Sequence, residues 1–249
     1  MESVSYDTIK PLISNNRNVQ EITKLVFEPL LQLDENYKLQ PCLATEWAKS
    51  GDTSYILKLR SNVKWQDGTS FTAQDVKYTI ETLKQVNSIY SYNVQHVTSV
   101  DIIDNYSIRI NLDTIIPFFE YNLIFPIVSS TYFAGQDIQN TEKNNTPIGT
   151  GMYKIESNSD STVVLKKNTS WWNISEKNAK VETINVNKYS SMGEAYNAFK
   201  LGNIDILTTE NINIEDNIGT IGYNKKEFYG REHDFIALNT YDNFLSRWE

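Results

Sequence analysis

Two histidines, one cysteine and a scatter of serines and aspartates are the residues through which this chain could carry out covalent or metal chemistry. His96 and His233 are far apart, and neither belongs to a ligand spacing such as His-x-x-x-His, so a zinc-type centre has no frame. No serine stands in Gly-x-Ser-x-Gly, the elbow that exposes a hydrolase nucleophile. Gly149-Thr150-Gly151 is too short for a dinucleotide fingerprint and lacks the Lys-Ser/Thr ending of a phosphate loop. It reads as a tight turn entering a strand at Tyr153. Asp67, Asp75, Asp101 and Asp104 fit turns, caps and exposed positions better than a carboxylate pair. The chemistry that remains is recognition, with no catalytic residue, no metal site and no cofactor expected.

The elements that must position a recognition site are legible from periodicity and turn chemistry. Asp67-Gly68 is a turn pair, and Thr72-x-x-Asp75 has capping-box spacing with Asp in the place of Glu or Gln, so a helix should begin near Ala73. Val76, Ile80 and Leu83 then form its buried stripe, leaving Lys77, Glu81 and Lys84 to solvent. Asn18 can cap a helix from about Val19 to Leu31, with Ile22, Val26 and Leu30 on one face. Tyr55 to Arg60 alternates as a strand. Val97 to Ile103 and Tyr106 to Leu112, joined at Asp104-Asn105, make the clearest hairpin, and Met152 to Glu156 with Thr162 to Lys167 a second. Val181 to Val186 reads as a strand, Ser191 to Leu201 as a helix stopped by Gly202, and Ile204 to Leu207 as another strand. The polar stretch 136–146 reads as a surface loop. Sheet and helix alternate, which is a mixed α/β pattern.

Composition sets independent bounds. At 249 residues, with 40% hydrophobic and 22% charged side chains, the chain can bury a sizeable core. Twenty-three basic against thirty-one acidic side chains give a net charge of −8 without a dense Lys/Arg cluster, which argues against a nucleic-acid partner. The longest apolar run, around Leu123 to Val128, is far too short to span a bilayer. Cys42, the single cysteine, cannot form an intramolecular disulfide and reads as a buried structural thiol. The tryptophans at 47, 65, 171 and 172 also read as structural.

One string is more specific than any of these patterns. Lys64-Trp65-Gln66-Asp67-Gly68-Thr69-Ser70-Phe71-Thr72-Ala73-Gln74-Asp75-Val76-Lys77 resembles the signature of the extracytoplasmic solute-binding proteins of ABC importers, in the family with oligopeptide-, dipeptide- and nickel-binding members. Further segments are similar to that family in its own order: Val26-Phe27-Glu28-Pro29-Leu30-Leu31, Pro41-Cys42-Leu43-Ala44-Thr45-Glu46-Trp47, Val100 to Asp104, Pro147 to Tyr153, Ala198 to Asp205, and Phe235 to Thr240. Met152 departs from the family's usual Pro, and Cys42 from its usual small or apolar residue.

The resemblance implies a type II periplasmic-binding-protein-like fold. Residues 1–33 and 147–249 would form an incomplete first lobe, residues 34–146 an inserted smaller domain, and the opposing lobe would be missing. It also implies an extracytoplasmic location, in the periplasm or lipid-anchored on the outer face of the membrane, and hence a native leader. Met1 is accordingly read as the start of a trimmed chain. The partners implied are a peptide ligand and the transmembrane subunits of an ABC permease, with the binding protein monomeric.

At the cleft, the resemblance places the polar loop ahead of the first helix. Asn15 and Asn16 can hydrogen-bond a peptide backbone and Arg17 can pair with a carboxylate, unless the loop is simply a solvated helix start. Tyr90 or Tyr92 can stack on a ligand or pack on the hairpin at Val97. Thr150, Tyr241 and Asp242 follow by position alone. Two other readings stay open: a binding protein for another solute, such as an oligosaccharide, nickel or a metal chelate, and the ligand-sensing domain of a transcription regulator.

Overall fold

Asn16, rather than Asn18, starts the first helix. Its Oδ1 accepts from the N–H groups of Asn18 (2.9 Å) and Val19 (3.3 Å), and α1 runs Arg17–Val26. The expected stripe is there, with Val19, Ile22 and Val26 buried, but the helix ends well before Leu31. Pro29 disfavours helical backbone at Glu28, Phe27 is already extended (φ −114°, ψ 141°), and Val26 O accepts instead from Gly151 N at 2.8 Å. Asn16→Ala is expected to cost about 1 kcal/mol through the two orphaned N–H groups. Denaturant titration reads this directly, and an unchanged midpoint would show that the cap is dispensable.

The structure, a computed structural model, describes residues 3–4, 9–209, 213–219 and 222–227. The chain divides into a unit of residues 1–211 and a smaller one of 212–249. In the first unit, β1 (Ser3–Val4) and α1 are followed by the hairpin of β2 (Leu31–Leu33) and β3 (Leu39–Pro41). Then come β4 (Ala44–Lys49), β5 (Ser54–Leu59), α2 (Ala73–Leu83), the short α3 (Ser91–Val94), β6 (Val97–Asp104) and β7 (Ser107–Leu112). These four strands form an antiparallel sheet in the order β4-β5-β7-β6. Its register shifts fall in the outer pairings, at Ala44/Glu46 of β4 and at Val97/Ser99 and Ile102/Asp104 of β6, while β5 and β7 pair regularly. The second sheet has the order β1-β10-β9-β8, built from β8 (Tyr153–Asn158), β9 (Thr162–Lys167) and β10 (Thr183–Tyr189), with β1 parallel to β10.

Helix α2 begins where the sequence places it. Gly68 takes φ +88° in the preceding turn, where a Cβ would strain the backbone, and Trp65 N closes that turn on Thr69 O at 2.8 Å. Asp75, 1% exposed, accepts at Oδ2 from Thr72 N (2.8 Å) and Trp65 Nε1 (3.3 Å), and at Oδ1 from Ser130 N (2.8 Å) and Ser130 Oγ (2.7 Å). One buried carboxylate thus joins a helix start, a turn and a distant loop. At the far end of the helix, Lys84 Nζ donates to Val97 O of β6 at 2.7 Å.

Both hairpins form as expected. α4 (Met192–Lys200) is capped by Ser191 Oγ, which accepts from Glu194 N at 3.3 Å, and Gly202 beyond it has φ +73°. Two expectations are corrected. The strand at Val181 begins instead at Thr183, where pairing with Lys166 of β9 starts. Ile204 to Leu207 is not a strand: it has no ladder among the described residues, and Ile206 is 66% exposed. A single apolar cluster joins Val19, Ile22 and Val26 of α1 to Leu57, Val76, Ile80, Ile108 and Ile110 and to Val163 and Leu165. In the second unit, α5 (Glu215–Ile218) holds Glu215 against Lys225 at 2.7 Å, and Lys225 also meets Glu227 at 2.8 Å.

Candidate functional site

The loop before α1 and the turn before α3 lie together. Ser88 Oγ donates to Leu12 O across this junction. Ser88 Oγ also accepts from Tyr90 N (3.0 Å), and Ser91 Oγ donates to Leu83 O (3.1 Å) and Val86 O (2.9 Å), so two serines stitch the turn and leave it a fixed shape. From it, Tyr90 packs partly buried against the core, whereas Tyr92 stands 75% exposed. Asn93 Nδ2 in turn donates to Asn122 O at 2.9 Å, tying α3 to the loop that carries Tyr121.

Across the junction, Asn15 and Arg17 are exposed and Asn16 is half-buried. Asn16 Oδ1 is occupied by the cap, and Asn16 N donates to Ser14 Oγ at 3.2 Å. The first turn of α1 has no acidic side chain. The positive end of its dipole therefore adds to Arg17, which favours a carboxylate or carbonyl in front of it. Asn15, Arg17 and Tyr92 are thus exposed on two segments that the Ser88–Leu12 bond ties together.

Thr150 lies elsewhere. It is 1% exposed and sits by the C-terminal end of α1, about 15 Å from Asn16 by the rise of a ten-residue helix. Gly149 and Gly151 flank it against the Leu25 and Val26 carbonyls. Tyr241 and Asp242 lie outside the described residues. The remaining sequence candidates have structural partners. Asp67 Oδ1 accepts from Thr69 N (2.9 Å), Asp101 Oδ2 from Asn111 Nδ2 (2.7 Å) and Asp104 Oδ1 from Tyr106 N (2.7 Å). His96 Nδ1 is 3.0 Å from Asp113 Oδ1, and His233 is outside the described residues.

Sequence reasoning gave Glu28 no role, yet the fold buries it. It is 7% exposed. Its Oε1 accepts from Trp171 Nε1 (3.0 Å) and Trp172 Nε1 (3.1 Å), and Oε2 from Trp172 Nε1 (2.9 Å). Burial pushes its carboxyl above the ordinary 4.5, and the bonds from Trp172 and Trp171, the nearby Thr150 hydroxyl and the Arg60 charge restrain that rise without reversing it. The Thr150 hydroxyl lies beside the carboxyl yet falls short of hydrogen-bond geometry. The Arg60 guanidinium stacks 4.1 Å from the Trp172 ring centroid and its Nε donates to Cys42 O at 2.6 Å. Cys42 is buried, and burial, with the Glu28 charge adding, pushes its thiol up. The signal available in the sequence was a glutamate inside the apolar run from Val26 to Leu31.

Among the described residues no group of three or more His, Cys, Asp or Glu could hold a metal ion, and no helix is long and apolar enough to cross a membrane. The family model for bacterial extracellular solute-binding proteins, family 5 (middle region), matches residues 38–247. The chain belongs to that family.

Among curated proteins, this family 5 chain is 28% identical over 172 residues to the glutathione-binding protein GsiB of Shigella boydii serotype 4 (strain Sb227), covering 68% of the chain and 34% of that relative. It therefore spans about a third of the length of the curated relatives it matches. Among solved structures, NikZ from Campylobacter jejuni in complex with Ni(L-His) is 29% identical with a TM-score of 0.73, over 82% of this chain and 42% of that one. The oligopeptide-binding protein AppA from Bacillus subtilis, solved with a nonapeptide, has the same TM-score of 0.73 at 21% identity, over 82% and 42% of the two chains, a likeness of fold. The mixed α/β, periplasmic-binding-protein-like fold expected from the sequence is the one observed. Family 5 proteins are the extracytoplasmic solute-binding components of ABC importers, not enzymes.

Proposed function

We propose that this chain supplies one face of an oligopeptide site in the substrate-binding component of an ABC importer, which captures peptides outside the cytoplasmic membrane and delivers them to the permease. The observation that carries this reading is the junction of the Asn15–Arg17 loop with the Tyr92 turn, fastened by Ser88 to Leu12. A peptide presents backbone amides, a carboxylate and side chains of many shapes. The junction answers these with an asparagine, a cation at a helix start and an exposed aromatic ring. Residues 1–33 and 147–249 form the first lobe in this reading and residues 34–146 the smaller domain, with the protein acting as a monomer in the periplasm or lipid-anchored on the outer face of the cytoplasmic membrane. The GsiB relative, named for a glutathione-type peptide, supports the reading. The NikZ neighbour, holding Ni(L-His), favours a metal chelate as the second candidate.

Amide NMR mapping tests this choice with three probes: a mixture of short peptides, nickel with histidine, and a manno-oligosaccharide. Peptides are expected to shift Asn15, Arg17 and Tyr92. Arg17→Ala and Tyr92→Ala are each expected to weaken that binding about tenfold, or about 1.4 kcal/mol, with the thermal midpoint unchanged. Shifts there from the nickel complex or the oligosaccharide alone would replace the peptide reading, and no shift from any probe would remove the junction as the site.

A further inference from the structure

The turn ahead of α2 holds chemistry that recognition does not use. Asp67-Gly68 is the one Asp-Gly pair of the chain, and no Asn-Gly pair occurs. An aspartyl carboxyl followed by glycine is open to attack by the next backbone nitrogen, because no side chain on that residue shields the approach. A fold either hides such a pair or presents it. Here both residues are exposed, and nothing lies within 4 Å of a Cβ built at Gly68.

The carboxyl is also gathered toward the nitrogen it would meet. Asp67 Oδ1 accepts from Thr69 N (2.9 Å) and Thr69 Oγ1 (2.6 Å), which makes an Asx turn. The ring closed by the Thr69 N bond runs through Gly68 N, so electrophile and nucleophile share one small loop of covalent and hydrogen bonds. Both Thr69 donors meet the oxygen on which charge develops during attack. Gly68 N–H lies along its bond to Trp65 O (2.9 Å), in the peptide plane, whereas attack uses the face of that plane. Asp34, Asp104 and Asp137 accept in the same manner from the N–H two residues on, at 2.8, 2.7 and 3.0 Å, but Glu35, Asn105 and Ile138 follow them. They are controls within the same molecule.

We infer that Asp67 is a site of spontaneous backbone isomerisation to isoaspartate in the folded protein, and that the lesion is passed through Gln66 to the Gly149–Tyr153 segment. In the first step Gly68 N bonds to Cγ of the Asp67 carboxylic acid, and the amide proton leaves with the acid's hydroxyl as water, giving a neutral cyclic imide. In the second, water adds to the main-chain carbonyl carbon of Asp67, whose bond to Gly68 N breaks as the nitrogen takes back a proton. The main chain then runs through the side-chain methylene and Cγ, and the former carbonyl becomes a free carboxylate. Water is the only co-reactant, and nothing is oxidised or reduced.

One extra methylene in the main chain does not fit this turn. Trp65 N reaches Thr69 O at 2.8 Å and Lys64 bridges Ser70, so the span across Asp67 is fixed on both sides. Gln66, the residue before, ties the turn to a distant stretch. Its N donates to Gly149 O (3.2 Å), its Oε1 accepts from Gly149 N (3.0 Å) and its Nε2 donates to Tyr153 O (2.8 Å). Lengthening the chain beside Gln66 shifts all three bonds together.

The test keeps the intact chain folded at neutral pH for several weeks, beside a sample held unfolded in urea. Each is digested and sequenced by electron-transfer fragmentation, which separates isoaspartyl from aspartyl residues of equal mass. Isoaspartate is expected to accumulate at residue 67 of the folded chain and to stay undetected at Asp34, Asp104 and Asp137. Asp67→Glu, whose carboxyl sits one carbon too far for the same ring, is expected to show none. In aged wild type, NMR is expected to show a second set of Gln66 and Gly149 amide resonances, with faster hydrogen exchange, growing in step with the isoaspartate. Its absence from residue 67 of the folded chain, whether or not it forms in urea, would overturn the site. Formation at all four aspartates alike would overturn the role given to Gly68. Modified chains whose Gln66 and Gly149 amides exchange as before would overturn the transmission. No ligand enters the experiment, so its outcome is independent of the peptide reading.

Discussion

Gly149→Ala is expected to destabilise the chain by about 3 kcal/mol or more, the high end for a single added methyl group. A Cβ built at Gly149 falls 1.8 Å from Val26 O, 2.6 Å from Val26 C and 3.1 Å from Val26 Cγ1. The obstacle is backbone, and that carbonyl is already fixed by Gly151 N. The glycine's own polar groups are held as well: its N–H donates to Gln66 Oε1 (3.0 Å) and its carbonyl accepts from Gln66 N (3.2 Å). Relief therefore requires moving the end of α1 away from the crossover, which breaks these contacts together. Gly151→Ala meets Leu25 O at 2.7 Å and Val26 C at 2.8 Å, a smaller overlap with a smaller expected loss. Urea denaturation of the two variants checks both the size and the order. A Gly149→Ala protein within about 1 kcal/mol of wild type would mean that this close approach is not a constraint on the fold.

Asp75→Ala ranks beside it, at about 3–5 kcal/mol, the range for removing one side of a buried, charge-assisted network. Four donors converge on this carboxylate, and with alanine the buried Trp65 indole and the half-buried Thr72 and Ser130 backbone N–H groups lose their acceptor. Asp75→Asn is expected to lose less, because its carbonyl oxygen still serves one side while its amide N–H groups oppose the donors on the other. Guanidine melts followed by tryptophan fluorescence separate the pair. Equal losses for Ala and Asn would show that the charge, not the number of acceptors, matters, and a loss below about 1 kcal/mol for Ala would show the network to be replaceable by water.

Most of what the sequence predicted well is local. The start of α2 is encoded within a dozen residues, where Gly68 sets the turn and Asp75 reaches back to Thr72 N. The β6–β7 hairpin is likewise written in the alternation of β7 and in the Asp104 turn, whose Oδ1 accepts from Tyr106 N. The end of α1 is different, since Val26 O is claimed by Gly151, a residue far along the chain that no periodicity near Val26 announces. Ile204 to Leu207 has the composition of a strand, but a strand exists only where a neighbour supplies a ladder.

The candidate junction was half legible. The polar run Ser14–Arg17 and the tyrosines could be singled out as residue types. What ties their two segments together is Ser88 reaching Leu12 O, a contact between stretches that share no local pattern. Glu28 was legible only as an acid among apolar neighbours. The two indoles that hold it come from a loop beyond β9.

The irregular outer strands of the β4-β5-β7-β6 sheet have a consequence for the protein in crowded solution. A long, straight outer strand is a template onto which another chain can add its own. Here the register shifts sit at the two margins and spare the centre, so each margin is bent where a flat partner would need it straight. At β6, which carries the exposed Ile102 and Ile103, Lys84 also occupies the Val97 carbonyl with an ammonium group. An incoming strand would have to displace that charge and bury it or leave it facing apolar side chains. Mutating Lys84 to an apolar residue therefore trades a charged margin for a sticky one, visible as concentration-dependent light scattering well before any loss of folded structure.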